Sequence, residues 1–119
     1  MKIAKLFFLA LMLLAPGGLR AESLTLSCHV ASSEGVHNDL VVEIGNGRVR
    51  YGASGESLVD AQSVKALSVG GSEISFTQSF PSTNTMMDWT IDRASGAIMI
   101  KYINTRNSKP FLTKRGACR

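Results

Sequence analysis

The sequence predicts an all-β domain, an antiparallel meander of seven or eight short strands curled into a small barrel or half-barrel. Three observations predict it. Apolar and polar residues alternate with period two through much of residues 24–118, the period of a strand with one buried face. Gly, Asn and Asp interrupt the alternation at short intervals, where tight turns need them. Two cysteines, Cys28 and Cys118, stand near the ends of that stretch, as a bridge between first and last strands requires. A β-sandwich is the alternative arrangement of the same strands.

The chain opens with a segment of another kind. Fifteen of its first 21 residues are apolar, Lys2 and Lys5 precede the unbroken apolar run 6–14, and Pro16-Gly17-Gly18 interrupts any helix before Leu19-Arg20-Ala21. A run of that length is too short for a bilayer, which takes roughly 20 residues. It matches a cleavable secretory signal peptide over residues 1–21, with Ala21 before the cut. The expected destination is the bacterial periplasm or the outside medium. There a lone cysteine pair becomes a disulfide, here Cys28 to Cys118. What remains is a single domain, residues 22–119, with ten basic and nine acidic side chains, so the net charge falls from +4 to +1. That balance excludes a uniformly basic nucleic-acid binder, and the length excludes a multidomain enzyme.

Each element has its own signal. Leu24, Leu26, Cys28 and Val30 alternate with Thr25, Ser27 and His29, a first strand followed by a polar loop at residues 31–39. Asn46-Gly47 is a two-residue hairpin turn, because both positions accept positive φ. It pairs Val42 with Tyr51 and Ile44 with Val49 on one face, and Glu43 with Arg50 on the other. Gly70-Gly71 predicts a second hairpin that pairs Leu67 with Ile74 and Ser68 with Glu73, stopping where Lys65 would face Phe76. Residues 56–66 read as strand or, alternatively, begin as a short helix. The third hairpin turns through Arg93-Ala94-Ser95-Gly96. It sets Asp92 against Ala97, Ile91 against Ile98, Trp89 against Ile100 and Met87 against Tyr102, with Asp88 facing Lys101. Any odd shift would set apolar against polar positions. Asp92 caps the turn, Gly96 ends it, and Trp89 belongs to the core face. Residues 104–110 form a polar loop ending in Pro110, and 111–119 a last strand with Leu112 and Cys118 on one face.

Catalytic and metal chemistry find little support in the residue pattern. His29 and His37 are the two histidines, eight positions apart, and lack the paired ligand spacing of a structural zinc site. His29 points away from the face that Cys28 occupies. Gly52-Ala53-Ser54-Gly55 is a Ser/Gly turn, and a hydrolase reading would require a histidine beside Ser54. No catalytic residue, metal or cofactor is assigned.

Charge is distributed unevenly. Residues 22–92 carry three basic and nine acidic side chains, while residues 93–119 carry seven basic ones and no acid. Either the two sectors pair internally, as Asp88 and Lys101 suggest, or Arg106, Lys109, Lys114 and Arg115 form a basic rim open to an acidic protein or an anionic envelope surface.

Residues Ile91-Asp92-Arg93-Ala94-Ser95-Gly96, an early cysteine and the ending Gly116-Ala117-Cys118 resemble a recurring pattern of small exported proteobacterial proteins, Ile-Asp-Arg-x-Ser/Thr-Gly with a terminal Gly-x-Cys. That resemblance implies architecture and no particular activity. In size, export, strand content and end-to-end cysteines the chain is also similar to the periplasmic lysozyme-inhibitor barrels, which implies an inhibitor role. Their Ser-Gly-x-x-Tyr loop is half matched at Ser54-Gly55, with Leu58 in the tyrosine's place. The expected function is a non-catalytic exported binding domain. The alternative is a carrier that closes around an apolar ligand, which a solid interior around Trp89, Tyr51 and Phe76 would exclude.

Overall fold

The computed structural model describes residues 23–119, so the signal segment 1–21 lies outside the described residues. Nine strands follow one another: β1 (Leu24–Ser32), β2 (His37–Gly45), β3 (Arg48–Ala53), β4 (Val59–Asp60), β5 (Val64–Val69), β6 (Glu73–Phe80), β7 (Thr85–Asp92), β8 (Ala97–Asn104) and β9 (Lys109–Cys118). Among the described residues the one helical element is a 3-10 turn at Pro81–Thr83. All nine strands form one antiparallel sheet in the order β4-β3-β2-β1-β9-β8-β7-β6-β5. The result is a strongly curled half-barrel, in agreement with the all-β meander that the alternation predicts.

The first and last strands pair at the middle of the sheet, Cys28 opposite Cys118, and the two cysteines are joined. Ser27 and Arg119 exchange both backbone hydrogen bonds, each 2.9 Å. The cysteine pair therefore occupies a position without ladder bonds, where facing side chains come closest. The sheet's edges are β4 and β5, which are consecutive in the chain. Every neighbouring pair is antiparallel, so β4 and β5 run in the same direction. They are two halves of one strand path that leaves β3 and joins β6. Ala61 N–H still donates to Val49 C=O on β3 (2.8 Å), and three positions later Val64 is in register with Gln78 on β6. Three extended residue steps reach at most about 11 Å, so the curl brings the two edges close together. Residues 56–66, open between helix and strand in the sequence, make this crossing.

Two hairpins have the expected register. Asn46 (φ 55°) and Gly47 (φ 73°) make the first turn, with Val42 on Tyr51 and Glu43 on Arg50. The third sets Trp89 on Ile100 and Asp88 on Lys101. There the Asp92 carboxylate accepts from Ala94 N–H at 2.9 Å and Ser95 N–H at 3.1 Å, and Gly96 takes φ 81°. The second hairpin differs from expectation. Its loop spans residues 70–72, Val69 lies opposite Ile74, and Ser68 opposite Ser75. A register shift follows between Lys65 and Ser68, with Ala66 at φ 56°, so Lys65 meets Thr77 and not Phe76. The polar loop after β1 also shrinks to residues 33–36, because β1 and β2 extend toward each other.

Alternate residues of these strands fill the concave side. Phe76, Ile74, Ile91 and Val42 are among its fully buried members. Tyr51 and Phe76 flank Trp89, with ring centroids 5.5 and 5.1 Å away. Offset aromatic contacts at such spacing add to the burial gain. Gln78 is the one buried polar residue among those described. Its Oε1 accepts from Trp89 Nε1–H at 2.9 Å. Its Nε2–H donates to Gln62 C=O at 3.0 Å and to Tyr51 Oη at 3.4 Å. The amide thus ties the β4–β5 crossing to the aromatic stack.

Candidate binding site

One end of the half-barrel collects the turns at residues 33–36, 81–84 and 105–108. Of the expected rim residues, Arg106 lies in the β8–β9 turn and Lys109 opens β9, while Lys114 and Arg115 lie further along that strand. Asn104 and Asn107 side chains accept from the backbone N–H groups of Arg106 and Lys109 at 2.8 and 3.0 Å, which fixes where the two cations leave the chain. Arg115 and Lys114 part company, since successive strand residues face opposite sides. Lys114 is in register with the buried Ile100, and its Nζ lies 5.3 Å from the centre of the Tyr102 ring on the concave side. Arg115, between Met99 and Ala31, is on the outer face.

Among the described residues no ion pair joins the acidic and the basic sector. The ion pairs among the described residues are His29–Asp39, Arg48–Asp60, Arg50–Glu43 and Arg50–Asp60. All belong to residues 22–92. None of the seven basic side chains of residues 93–119 comes within 4.0 Å of a described carboxylate. Lys101 is opposite Asp88 in register without an ion pair forming, and the Arg93 guanidinium donates to Gly70 C=O at 2.7 Å. The cation-rich strand β9 lies between β8 and β1, whereas most of the acids are on β2 to β7.

The structure also gathers three residues that sequence reasoning left separate. His29 Nδ1 lies 2.7 Å from Asp39 Oδ1, and His29 Nε2 lies 3.2 Å from His37 Nδ1. The imidazoles stack at 5.3 Å. The four-residue turn explains this, because it places His37 opposite Ala31 and Asp39 opposite His29. Recognising the shorter loop would have exposed the juxtaposition. Both nitrogens of His29 are already engaged, and among the described residues no group of three His, Cys, Asp or Glu is arranged to hold a metal. Ser54 N–H donates to Asp39 C=O at 3.3 Å, so across the sheet the order is His29, Asp39, Ser54. With strands about 4.8 Å apart, the carboxylate stands between hydroxyl and imidazole, an order unsuited to a serine–histidine relay. These side chains border an outer depression of about 370 Å³ that also involves Ser27, Ala117 and Arg119.

A second opening, of about 340 Å³, is the mouth of the half-barrel on the concave side, where Leu40, Met87, Ile100, Tyr102 and Lys114 surround the Tyr51 and Trp89 rings. The aromatic stack fills the interior that an enclosing carrier would need, and the accessible apolar space lies at this mouth.

Among the described residues no helix is long and apolar enough to cross a membrane. The disulfide is compatible with an oxidising compartment. No protein-family model, curated protein or solved structure matches the chain.

Proposed function

We propose that this chain is a non-catalytic binding domain, exported to the bacterial periplasm or the outside medium, that engages an anionic envelope surface through Arg106, Lys109 and Arg115. One observation carries the reading: the cations of residues 93–119 have no carboxylate partner among the described residues, while Arg48 and Arg50 are satisfied by Asp60 and Glu43. Export rests on the signal-like residues 1–21 and the disulfide, together with the resemblance to small exported proteobacterial proteins.

Each Lys or Arg held near an anionic lipid surface contributes about 1 kcal/mol, so three supply roughly 3 kcal/mol, or about a hundredfold in partitioning. Flotation of the disulfide-bonded chain 22–119 with vesicles tests this. Vesicles containing phosphatidylglycerol are expected to retain it, neutral phosphatidylcholine vesicles to release it, and added salt to weaken retention. The triple variant R106E/K109E/R115E is expected to lose binding. Equal retention on both vesicle types, or an unaffected triple variant, would contradict the reading. Capture of an acidic protein in place of lipid would move the partner from membrane to protein.

A further inference from the structure

We propose that the mouth of the half-barrel is a binding site for a small apolar carboxylate, its apolar body against Leu40, Met87 and Ile100 and its anion on Lys114. The site is on the concave side and does not depend on Arg106, Lys109 or Arg115.

Size and walls come first. The mouth holds about 340 Å³, within the range of roughly 300–1,000 Å³ typical of small-ligand sites. Its walls come from four strands, β1 (Val30), β2 (Leu40), β7 (Met87) and β8 (Ile100, Tyr102). Its floor is the Tyr51–Trp89 ring pair, backed by Phe76. Trp89, Ile100 and Val30 are already buried, so an apolar group entering there removes water from the half-buried Leu40, Tyr51, Met87 and Tyr102 without unpacking the core.

Charge then selects the ligand. The Lys114 ammonium is held over the Tyr102 ring, and no described carboxylate lies within 4.0 Å of it. Asp39 borders the mouth too, but its carboxylate is bound by His29 at 2.7 Å. Asn38, in register with the inward Val30, brings a side-chain amide to the same opening. A partnerless ammonium beside apolar walls favours a ligand that brings an anion and an apolar body together. An inorganic anion lacks the body, a cationic amphiphile is repelled, and a neutral apolar molecule leaves Lys114 unpaired.

The chain's one tryptophan, Trp89, forms part of the floor, so its fluorescence reports occupancy. The experiment titrates the disulfide-bonded chain 22–119 with decanoate, 4-butylbenzoate, decanol and decyltrimethylammonium. Decanoate or 4-butylbenzoate is expected to give a saturable change and to shift the Met87 methyl resonance. The tighter of the two tells whether the site prefers an alkyl or an aryl body. Decyltrimethylammonium is expected to bind roughly tenfold more weakly, the scale of one hydrogen bond to a charged group. Lys114→Met is expected to remove that preference while retaining decanol, which shows the variant folded, and Lys114→Arg to keep it. Equal affinity of the native chain for anion and cation, a preference that survives in Lys114→Met, or an unmoved Met87 methyl would each overturn the proposal. Vesicle binding can fail without altering any of these readouts.

Discussion

At the scale of single residues, the buried amide of Gln78 governs how the half-barrel is pinned. Its oxygen and nitrogen satisfy Trp89 Nε1–H, Gln62 C=O and Tyr51 Oη, and no buried side-chain N or O atom among those described lacks a partner. Gln78→Leu keeps similar bulk but orphans the buried indole N–H of Trp89. A buried orphan costs about 1–3 kcal/mol. The variant is therefore expected to lose at least ~1 kcal/mol in urea unfolding followed by Trp89 fluorescence. A midpoint equal to that of the native chain would show that water replaces the amide. The role of Gln78 was hidden in the sequence, where it reads as an ordinary polar residue in an alternating strand. Asp92 was legible, because its carboxylate acts within three residues of its own position. Local chemistry shows in sequence. A partner 16 positions away, as Gln62 is from Gln78, does not.

Elements follow the same logic through parity. The hairpins at Asn46-Gly47 and at residues 93–96 were legible because a one-residue error would have turned their apolar residues outward. At Gly70-Gly71 the observed register differs from the expected one by two positions, and a shift of two leaves every side chain on its own face. Parity could not separate the alternatives, and no glycine marks the irregularity beside Ala66. Gly116 is the converse case. It appears in sequence only as part of an ending motif, yet a Cβ there would overlap the His29 carbonyl oxygen, where β9 and β1 pair. Backbone on both sides leaves no flexible atom to yield. Gly116→Ala is expected to destabilise the domain by roughly 3 kcal/mol or more, seen as a large fall in the urea midpoint. A small change would mean that β1 and β9 separate there without loss.

For the whole molecule, the pairing of β1 with β9 sets the frame. It places the first and last strands of the described residues at the middle of the sheet, and Cys28–Cys118 closes a loop of 90 residues. In the chain-entropy account such a bridge contributes about 4–5 kcal/mol through the unfolded state. The C28A/C118A variant is accordingly expected to unfold at much lower denaturant, and an unchanged midpoint would assign the stability to strand pairing alone. The disulfide partners were legible from cysteine count and position. The fate of the cations was not, since a register pair such as Asp88 and Lys101 suggests an ion pair that the side chains do not make. None of the cations of residues 93–119 meets a described carboxylate, so they remain available. The most direct test is a backbone NMR titration of chain 22–119 with bicelles containing phosphatidylglycerol. Broadening confined to the β8–β9 turn and Arg115, reversed by salt, is the predicted result. Broadening centred on the opposite end, at Asn46-Gly47 and residues 70–72, or none anywhere, would contradict an open cationic face as the binding surface.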